Sequence, residues 1–229
     1  KAKGVKGVII RINDMNGGHH LDEKFADHWK QAEDGGLAHA PYFVYNPWVS
    51  GKQNYEYLLS VCPDGVGKVF VDVEVKYFMV TPTAYGKQLA EFMALAQQTW
   101  EVVIYTGAWF LDVVSPWPTC EYWWGRYPYV LYPASKTAIT WEELIGKLNT
   151  LEWAPDGGKA PGTVKLWQCT ADRLVLPGCD GRAIDINIFN GSAEELVAWL
   201  NGDKVEQPVV PPANALEILW ADYLKRTVV

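Results

Sequence analysis

Two acidic residues lie two positions apart within the apolar segment Val69-Phe-Val-Asp-Val-Glu-Val75. Side chains two apart on a strand point to the same face, so Asp72 and Glu74 would project together, their Cα atoms roughly 6.5–7 Å apart. Burial and like charge raise the proton affinity of one carboxyl, which makes it an acid near neutral pH. Such a pair suits glycoside cleavage. A solvated strand end with no catalytic function explains the segment equally well.

A third acidic position lies near the end of the chain, in Ala183-Ile-Asp-Ile-Asn-Ile188. Alternation places Asp185 and Asn187 on one face of a predicted strand and the isoleucines on the other. Active sites of barrels lie at the carboxyl ends of the strands. We therefore expect Asp185 to join the acid pair at that end.

Strands alternate with helices over most of the chain, which predicts an α/β fold, either a βα barrel or a doubly wound sheet. Strands are predicted over residues 5–12, 37–45, 68–75, 101–105, 163–169 and 183–189, with another within 122–131. A long helix is predicted from Thr81-Pro82 to Gln98, and others start after the capping residues Ser50, Thr140 and Ser192.

The last 28 residues have a different character. Residues 202–214 contain Gln207-Pro208-Val-Val-Pro211-Pro212 and are predicted to be a linker, since this composition resists helix and sheet. Residues 215–229 are predicted to be an amphipathic helix that docks on the barrel, self-associates or begins a further module. Its apolar stripe contains Leu216, Leu219, Trp220, Tyr223 and Leu224.

Composition limits the classes of partner. The formal net charge is −7 and no basic run alternates with aromatic residues, which argues against nucleic acid. No apolar run approaches the roughly 20 residues of a membrane span. The 12 Trp and 12 Tyr suit carbohydrate, although such rings also fill cores. The four cysteines show no metal-ligand spacing, so no metal site is predicted; Cys169 and Cys179 either pair or remain free thiols.

The chain resembles glycoside hydrolase family 25, the Chalaropsis-type lysozymes that are common among bacteriophage endolysins. The resemblance implies an irregular TIM-like (β/α) barrel, here a catalytic domain over residues 1–201. It covers roughly residues 5–200, and six segments match in the family's order: Gly7-Val-Ile-Ile-Arg11, Ala40-Pro-Tyr-Phe-Val-Tyr45, Asp72-Val-Glu74, Val103-Ile-Tyr-Thr-Gly107, Tyr122-Trp-Trp-Gly-Arg-Tyr127, and Leu166-Trp-Gln168 through to Asp185-Ile-Asn187.

The resemblance implies retaining hydrolysis of the β-1,4 bond between N-acetylmuramic acid and N-acetylglucosamine in bacterial peptidoglycan, without metal or organic cofactor. Glu74 would act as acid and then base, Asp72 as the assisting anion, and Asp185 as a charge stabiliser across the pocket. The implied location is the cell wall, reached as a phage endolysin without a signal peptide. The residues implied to line the glycan groove, with core packing as each aromatic residue's alternative, are Tyr42, Tyr105, Trp123, Tyr127, Trp167, Gln168 and Asn187.

One departure from the family stands out. Family members begin with a strand bearing Gly-Ile-Asp-Val-Ser, whose Asp belongs to the acidic cluster, and nothing before Val5 matches it. Either the N-terminus was removed or this variant does without the strand, and in both cases the sequence predicts a barrel with open edges and impaired activity. The alternative function is a wall-glycan-binding module without turnover. A chitinase-like barrel is disfavoured because its Asp-x-Asp-x-Glu motif would need an acid where Phe70 stands.

Overall fold

The fold is a closed eight-stranded barrel. The computed structural model describes residues 4–15, 18–178 and 182–202, and the backbone of residues 216–222. Among these, the barrel strands are β1 (Val5–Arg11), β2 (Ala38–Val44), β3 (Lys68–Asp72), β4 (Glu101–Gly107), β5 (Glu121–Gly125), β6 (Thr163–Gln168), β7 (Asp185–Asn190) and β8 (Leu216–Asp222). The predicted TIM-like α/β barrel is confirmed.

One strand of the barrel runs against the others. The order around the barrel is β1-β8-β7-β6-β5-β4-β3-β2, and β2 pairs with β1 to close it. Strand β7 is antiparallel to both β6 and β8, whereas the other neighbours are parallel. The first residue of β7, Asp185, therefore lies at the end of the barrel where the parallel strands finish. We call this the carboxyl end of the barrel.

In the part of the chain that the structure describes, five α-helices surround the barrel: α1 (Phe25–Asp34), α2 (Gly51–Val61), α3 (Pro82–Ala96), α4 (Trp141–Leu148) and α5 (Ala193–Asn201). The predicted starts of four are confirmed. Ser50, Thr140 and Ser192 each form a capping box, and Thr81 accepts a hydrogen bond from the backbone N–H of Ala84, with Pro82 in the first turn. Three of these caps fix where a loop from the carboxyl end of the barrel becomes a helix, whereas Ser192 follows the antiparallel β7 and caps a helix that starts at the amino end.

The core has two layers because successive strand residues face opposite sides. The inner layer fills the barrel and includes Ile9, Tyr42, Phe70 and Trp123, while the outer layer packs against the helices. At the amino end of the barrel, Lys68 is 1% exposed and its Nζ lies 2.8 Å from a carboxylate oxygen of Glu101. This ion pair provides the buried ammonium of Lys68 with a partner at the amino end of the barrel.

The end of the chain differs from the prediction. Residues 216–222 form strand β8, so the predicted C-terminal helix is wrong over these residues, and the helical stripe proposed for self-association is absent there. Strand β8 lies between β1 and β7, parallel to β1, with Ala221 level with both Ile9 and Asp185. The barrel thus includes a segment beyond the predicted linker, and the edges expected to be open are paired. Residues 203–215 and 223–229, and Cys179, lie outside the described residues.

The described residues show no helix long and apolar enough to span a membrane. Among the same residues, no group of His, Cys, Asp or Glu side chains is arranged to hold a metal ion. The thiol of Cys169 is buried and unpaired with any other cysteine in the described part of the chain. Its Sγ lies 3.4 Å from the backbone oxygen of Ile186.

Candidate active site

The two acidic residues of the central motif lie at the carboxyl end of strand β3. The strand ends at Asp72, three residues earlier than predicted, and Glu74 follows in the loop. The backbone N–H of Val73 still donates to the carbonyl of Tyr105 on β4, so the chain keeps its direction past the strand end. Asp72 is 4% exposed and Glu74 is half-buried. The structure thus buries Asp72 and leaves Glu74 partly accessible at the carboxyl end of the barrel.

Asp185 joins this pair because β7 is antiparallel. It is the first residue of β7 and is 5% exposed. Its negative charge acts on Asp72, whose pKa it raises. The three carboxyls that the sequence singles out therefore come together at one end of the barrel.

The carboxyls hold their protons more tightly than ordinary acids. Burial raises the pKa of Asp72 well above its usual value, and the charges of Glu74 and Asp185 raise it further, while Arg11 lowers it. Burial also raises the pKa of Glu74. One oxygen of Asp72, Oδ1, is buried without a hydrogen-bond partner among the described residues. The site therefore offers a retained proton and an unused buried acceptor, both of which a polar substrate can use.

Arg11 belongs to the site although the sequence did not single it out for a role. It ends strand β1, and its Nη2 and Nε lie 2.7 Å and 2.8 Å from Oδ2 of Asp22. Both side chains are largely buried, and the positive charge of Arg11 lowers the pKa of Asp72. A charged residue at the end of an apolar strand is the signal that could have revealed it, because burying a charge requires a partner.

Two tyrosine hydroxyls border the acids on the side of strand β4. The hydroxyls of Tyr105 and Tyr127 lie 3.2 Å apart, and the Tyr127 hydroxyl donates to Oε1 of Gln168 at 3.4 Å. Burial raises the pKa of both tyrosines, and the nearby charge of Glu74 raises each of them as well. Both therefore remain protonated donors at the rim of the acid cluster.

A sequence profile agrees with this geometry. The profile of glycosyl hydrolases family 25 matches residues 1–141. The chain belongs to glycosyl hydrolase family 25. The match contains Arg11, Asp72 and Glu74 and ends before strand β6, so Asp185 is placed beside them by the fold alone.

Individual relatives of this family 25 chain are distant. It is 23% identical over 206 residues to the uncharacterized protein YegX of Escherichia coli K12, a match that covers 88% of this chain and 66% of YegX. The bacterial lysozyme of Streptomyces coelicolor is similar in structure, with a TM-score of 0.59, 20% identity and 88% of each chain covered. A muramidase from Trichobolus zukalii is also similar in structure, with a TM-score of 0.57, 18% identity and 85% of each chain covered. At these identities, the structural likeness shows the fold alone.

Several residues predicted to line the groove of this family 25 barrel are buried. Tyr42 and Trp123 lie inside the barrel, 2% and 3% exposed, and the indole Nε1 of Trp123 donates to Oδ1 of Asn187 at 2.6 Å. Trp167 is 3% exposed in the layer that packs against α4, and its Nε1 donates to the carbonyl of Arg126. This burial favours the packing role for the three aromatic residues, and their contact with sugar stays a prediction.

Other aromatic residues of the family 25 barrel are exposed at its carboxyl end, and the sequence did not single them out. Trp109 follows β4, is 50% exposed, and stacks on Tyr127 with ring centroids 5.7 Å apart. The ring of Trp109 lies over Gly107 and Gly125, where a Cβ atom would overlap it. Both glycines end strands, so their missing side chains make room for this ring. Exposed rings also follow strands β2, β3 and β5, at Trp48, Phe78 and Tyr129.

Replacing Arg11 by glutamine should move the acidic limb of the pH–activity profile upward. Arg11 lowers the pKa of Asp72, so without its charge Asp72 would ionise at a higher pH. The measurement is kcat/KM against pH for both proteins. Asp22→Asn is the matched control, because it removes the partner of Arg11 but keeps the guanidinium beside Asp72. An acidic limb that stays in place in Arg11→Gln would contradict this role.

Proposed function

We propose that this chain is a muramidase, which hydrolyses the β-1,4 bond between N-acetylmuramic acid and N-acetylglucosamine in bacterial peptidoglycan with retention of configuration. The observation that carries the proposal is the meeting of Asp72, Glu74 and Asp185 at the carboxyl end of a family 25 barrel, with raised pKa values for the first two. The proteins of known structure named as lysozyme and muramidase support it by sharing the fold.

Glu74 is the proposed general acid and then base. It is the more accessible member of the acid pair, and burial raises its pKa, so it holds a proton that can pass to the leaving glycosidic oxygen. After the leaving group departs, the same carboxylate accepts a proton from the attacking water. A half-buried acid suits this cycle because it must meet both the sugar and water.

Asp72 is the proposed assisting anion. Its Oδ1 is buried and has no hydrogen-bond partner among the described residues, which leaves an acceptor for the N–H of the sugar's acetamido group. Such a hydrogen bond would hold the acetamido oxygen against the anomeric carbon in a substrate-assisted retaining mechanism. Burial and the neighbouring carboxylates raise the pKa of Asp72, and the positive charge of Arg11 opposes them, so Arg11 favours the ionised form that this role needs.

Asp185 is the proposed stabiliser of positive charge at the anomeric carbon. Strand β7 lies across the barrel from β3, and the charge of Asp185 still acts on both Asp72 and Tyr127. The hydroxyls of Tyr105 and Tyr127 both remain protonated, and a bound sugar oxygen would accept the hydrogen bond that Tyr127 donates to Gln168. This scheme uses side chains alone and calls for no metal or organic cofactor. Its place of action is the bacterial wall, as for a phage endolysin.

The test is product analysis from purified peptidoglycan. The chain should release fragments that end in reducing N-acetylmuramic acid, identified by mass spectrometry after borohydride reduction, and NMR should show the β-anomer first. Reducing N-acetylglucosamine would indicate the other glycosidic bond. Saturable binding without new reducing ends would replace the proposal by the glycan-binding module. Faster turnover of chitin than of wall would indicate the chitinase alternative.

A further inference from the structure

An exposed apolar patch lies at the carboxyl end of the barrel, outside the acid cluster. It consists of Trp48, Tyr77, Phe78 and Met79, and we call it the rim patch. Phe78 is 87% exposed, Met79 70% and Trp48 44%. Large apolar side chains exposed side by side mark an interaction site more often than isolated ones do. Nothing in the acid chemistry described above uses these residues.

The rim patch adjoins the acid pair through the fold. Trp48 lies in the loop after β2, and the other members lie in the loop after β3, the neighbouring strand. Val44, the last residue of β2, is level with Asp72, and Tyr77 follows Glu74 by three residues. Both loops therefore leave the barrel beside the carboxyls, and the rim patch borders the same opening.

Ring contacts join the two loops into one surface, and hydrogen bonds to α2 hold the loop that contains Trp48. The rings of Trp48 and Tyr77 are 5.6 Å apart, and those of Tyr77 and Phe78 are also 5.6 Å apart. The backbone N–H of Trp48 donates to Oδ1 of Asn46, and the backbone N–H of Asn46 donates to Oδ1 of the buried Asn54 on α2. Phe78 and Trp48 keep 87% and 44% of their surface exposed beside these contacts, so much of each ring is open to solvent.

The chemistry of the rim patch favours a sugar as its occupant. Aromatic faces attract the C–H faces of pyranose rings, and the polar edges of Trp and Tyr bond to hydroxyls. An anionic membrane surface would reward a cluster of basic residues around the patch. The loop after β3 contributes one, Lys76, between Glu74 and Tyr77. The patch also borders the proposed cleavage site, so a glycan strand in that site would continue across it.

We propose that the rim patch is a binding platform for a sugar unit of the glycan strand away from the scissile bond, and that it makes the enzyme prefer long strands. This inference rests on the proposed function. Trp48 and Phe78 provide the exposed faces, and Tyr77 holds them together through ring contacts on either side. Because the platform is remote from the reacting atoms, it contributes to substrate binding equally before and in the transition state.

The test compares substrates of two lengths with the variant Trp48→Ala/Phe78→Ala. Glycan strands stripped of peptide and a tetrasaccharide of two disaccharide units serve as substrates. On long strands, KM should rise about tenfold with kcat unchanged, because uniform binding is lost. On the tetrasaccharide, both constants should stay within about twofold. Leu59→Ala is the control, an exposed apolar residue on α2 that should change neither.

The outcomes separate this inference from the proposed function. If the unchanged chain cleaves glycan but the double variant has an unaltered KM on long strands, the platform is overturned while the muramidase stands. If the unchanged chain cleaves neither substrate, the muramidase fails, and titration calorimetry with intact strands then tests the platform alone. Tight binding there that the double variant loses would support it, and equal binding would overturn it. Binding of the rim patch to lipid vesicles but not to strands would also overturn it.

Discussion

Replacing Glu74 by glutamine should lower kcat on peptidoglycan by about 10²–10⁴-fold, the usual contribution of a general acid and base. Glutamine keeps the size of the side chain but cannot pass a proton to the leaving oxygen. Reducing-end release measures the effect, and circular dichroism checks the fold. Glu56→Gln is the matched control, since Glu56 is exposed on α2, where its contact is an ion pair with Lys52. Near-normal turnover by the Glu74 variant would remove Glu74 from the mechanism.

The same substitution should not destabilise the protein at neutral pH. Burial raises the pKa of Glu74 in the folded chain, so the folded state holds this proton more tightly than the unfolded state does. The resulting stabilisation is present below the unfolded pKa and is lost as pH rises through the folded pKa. At pH 7, Glu74→Gln should therefore melt at the same temperature as the original chain or higher. A lower melting temperature would mean that lost activity reflects lost structure.

Short-range sequence patterns are sufficient to predict most helices and strands and the acidic residues of the site. Capping residues and alternation depend on neighbours along the chain, and they located the helices after Ser50, Thr140 and Ser192 correctly. The Asp72 and Glu74 pair was visible because two acids interrupt an apolar strand. Asp185 was found by the same alternation, although its arrival at the carboxyl end of the barrel depends on the reversed direction of β7.

Features that depend on distant parts of the chain were missed. Arg11 acts on Asp72 from β1, with strand β2 between them, and the rim patch arises because the loops after β2 and β3 leave side by side. Neither relation can be read from spacing. The sequence also does not show that Phe78 is exposed and Trp123 is buried, since both are large aromatic residues in apolar segments. Their exposure depends on where the strands end, because Trp123 lies within β5 and Phe78 lies in the loop after β3.

Strand β8 is the clearest example of an element that depends on distant parts of the chain. Residues 216–224 have apolar side chains at helical spacing, but Leu216, Ile218 and Trp220 also alternate, and a short apolar run does not distinguish helix from strand by period alone. The barrel favours the strand, because β1 and β7 would otherwise present two rows of unpaired backbone groups. Strand β8 pairs with both of them and fills the place that the family's first strand was expected to leave empty.

Ending the chain at Gly202 should therefore destroy both stability and activity. The shortened chain loses β8, which pairs through six residues with β7 and through five with β1. Each kcal/mol lost moves the melting midpoint of a domain of this size by about 2–4 °C, so we expect a fall of more than about 10 °C or a failure to fold as a monomer. Thermal melting, light scattering and reducing-end release measure the three effects.

A peptide of residues 203–229 provides the control, because it restores the missing strand without restoring the covalent connection. Added to the shortened chain, it should pair between β1 and β7 and recover part of the activity, at a concentration that reports its affinity. A peptide with Leu219→Pro should fail, since proline removes a backbone donor from a strand with neighbours on both sides. If the shortened chain instead keeps its melting midpoint and turnover, seven strands suffice, and the acids at the ends of β3 and β7 do not depend on a closed barrel.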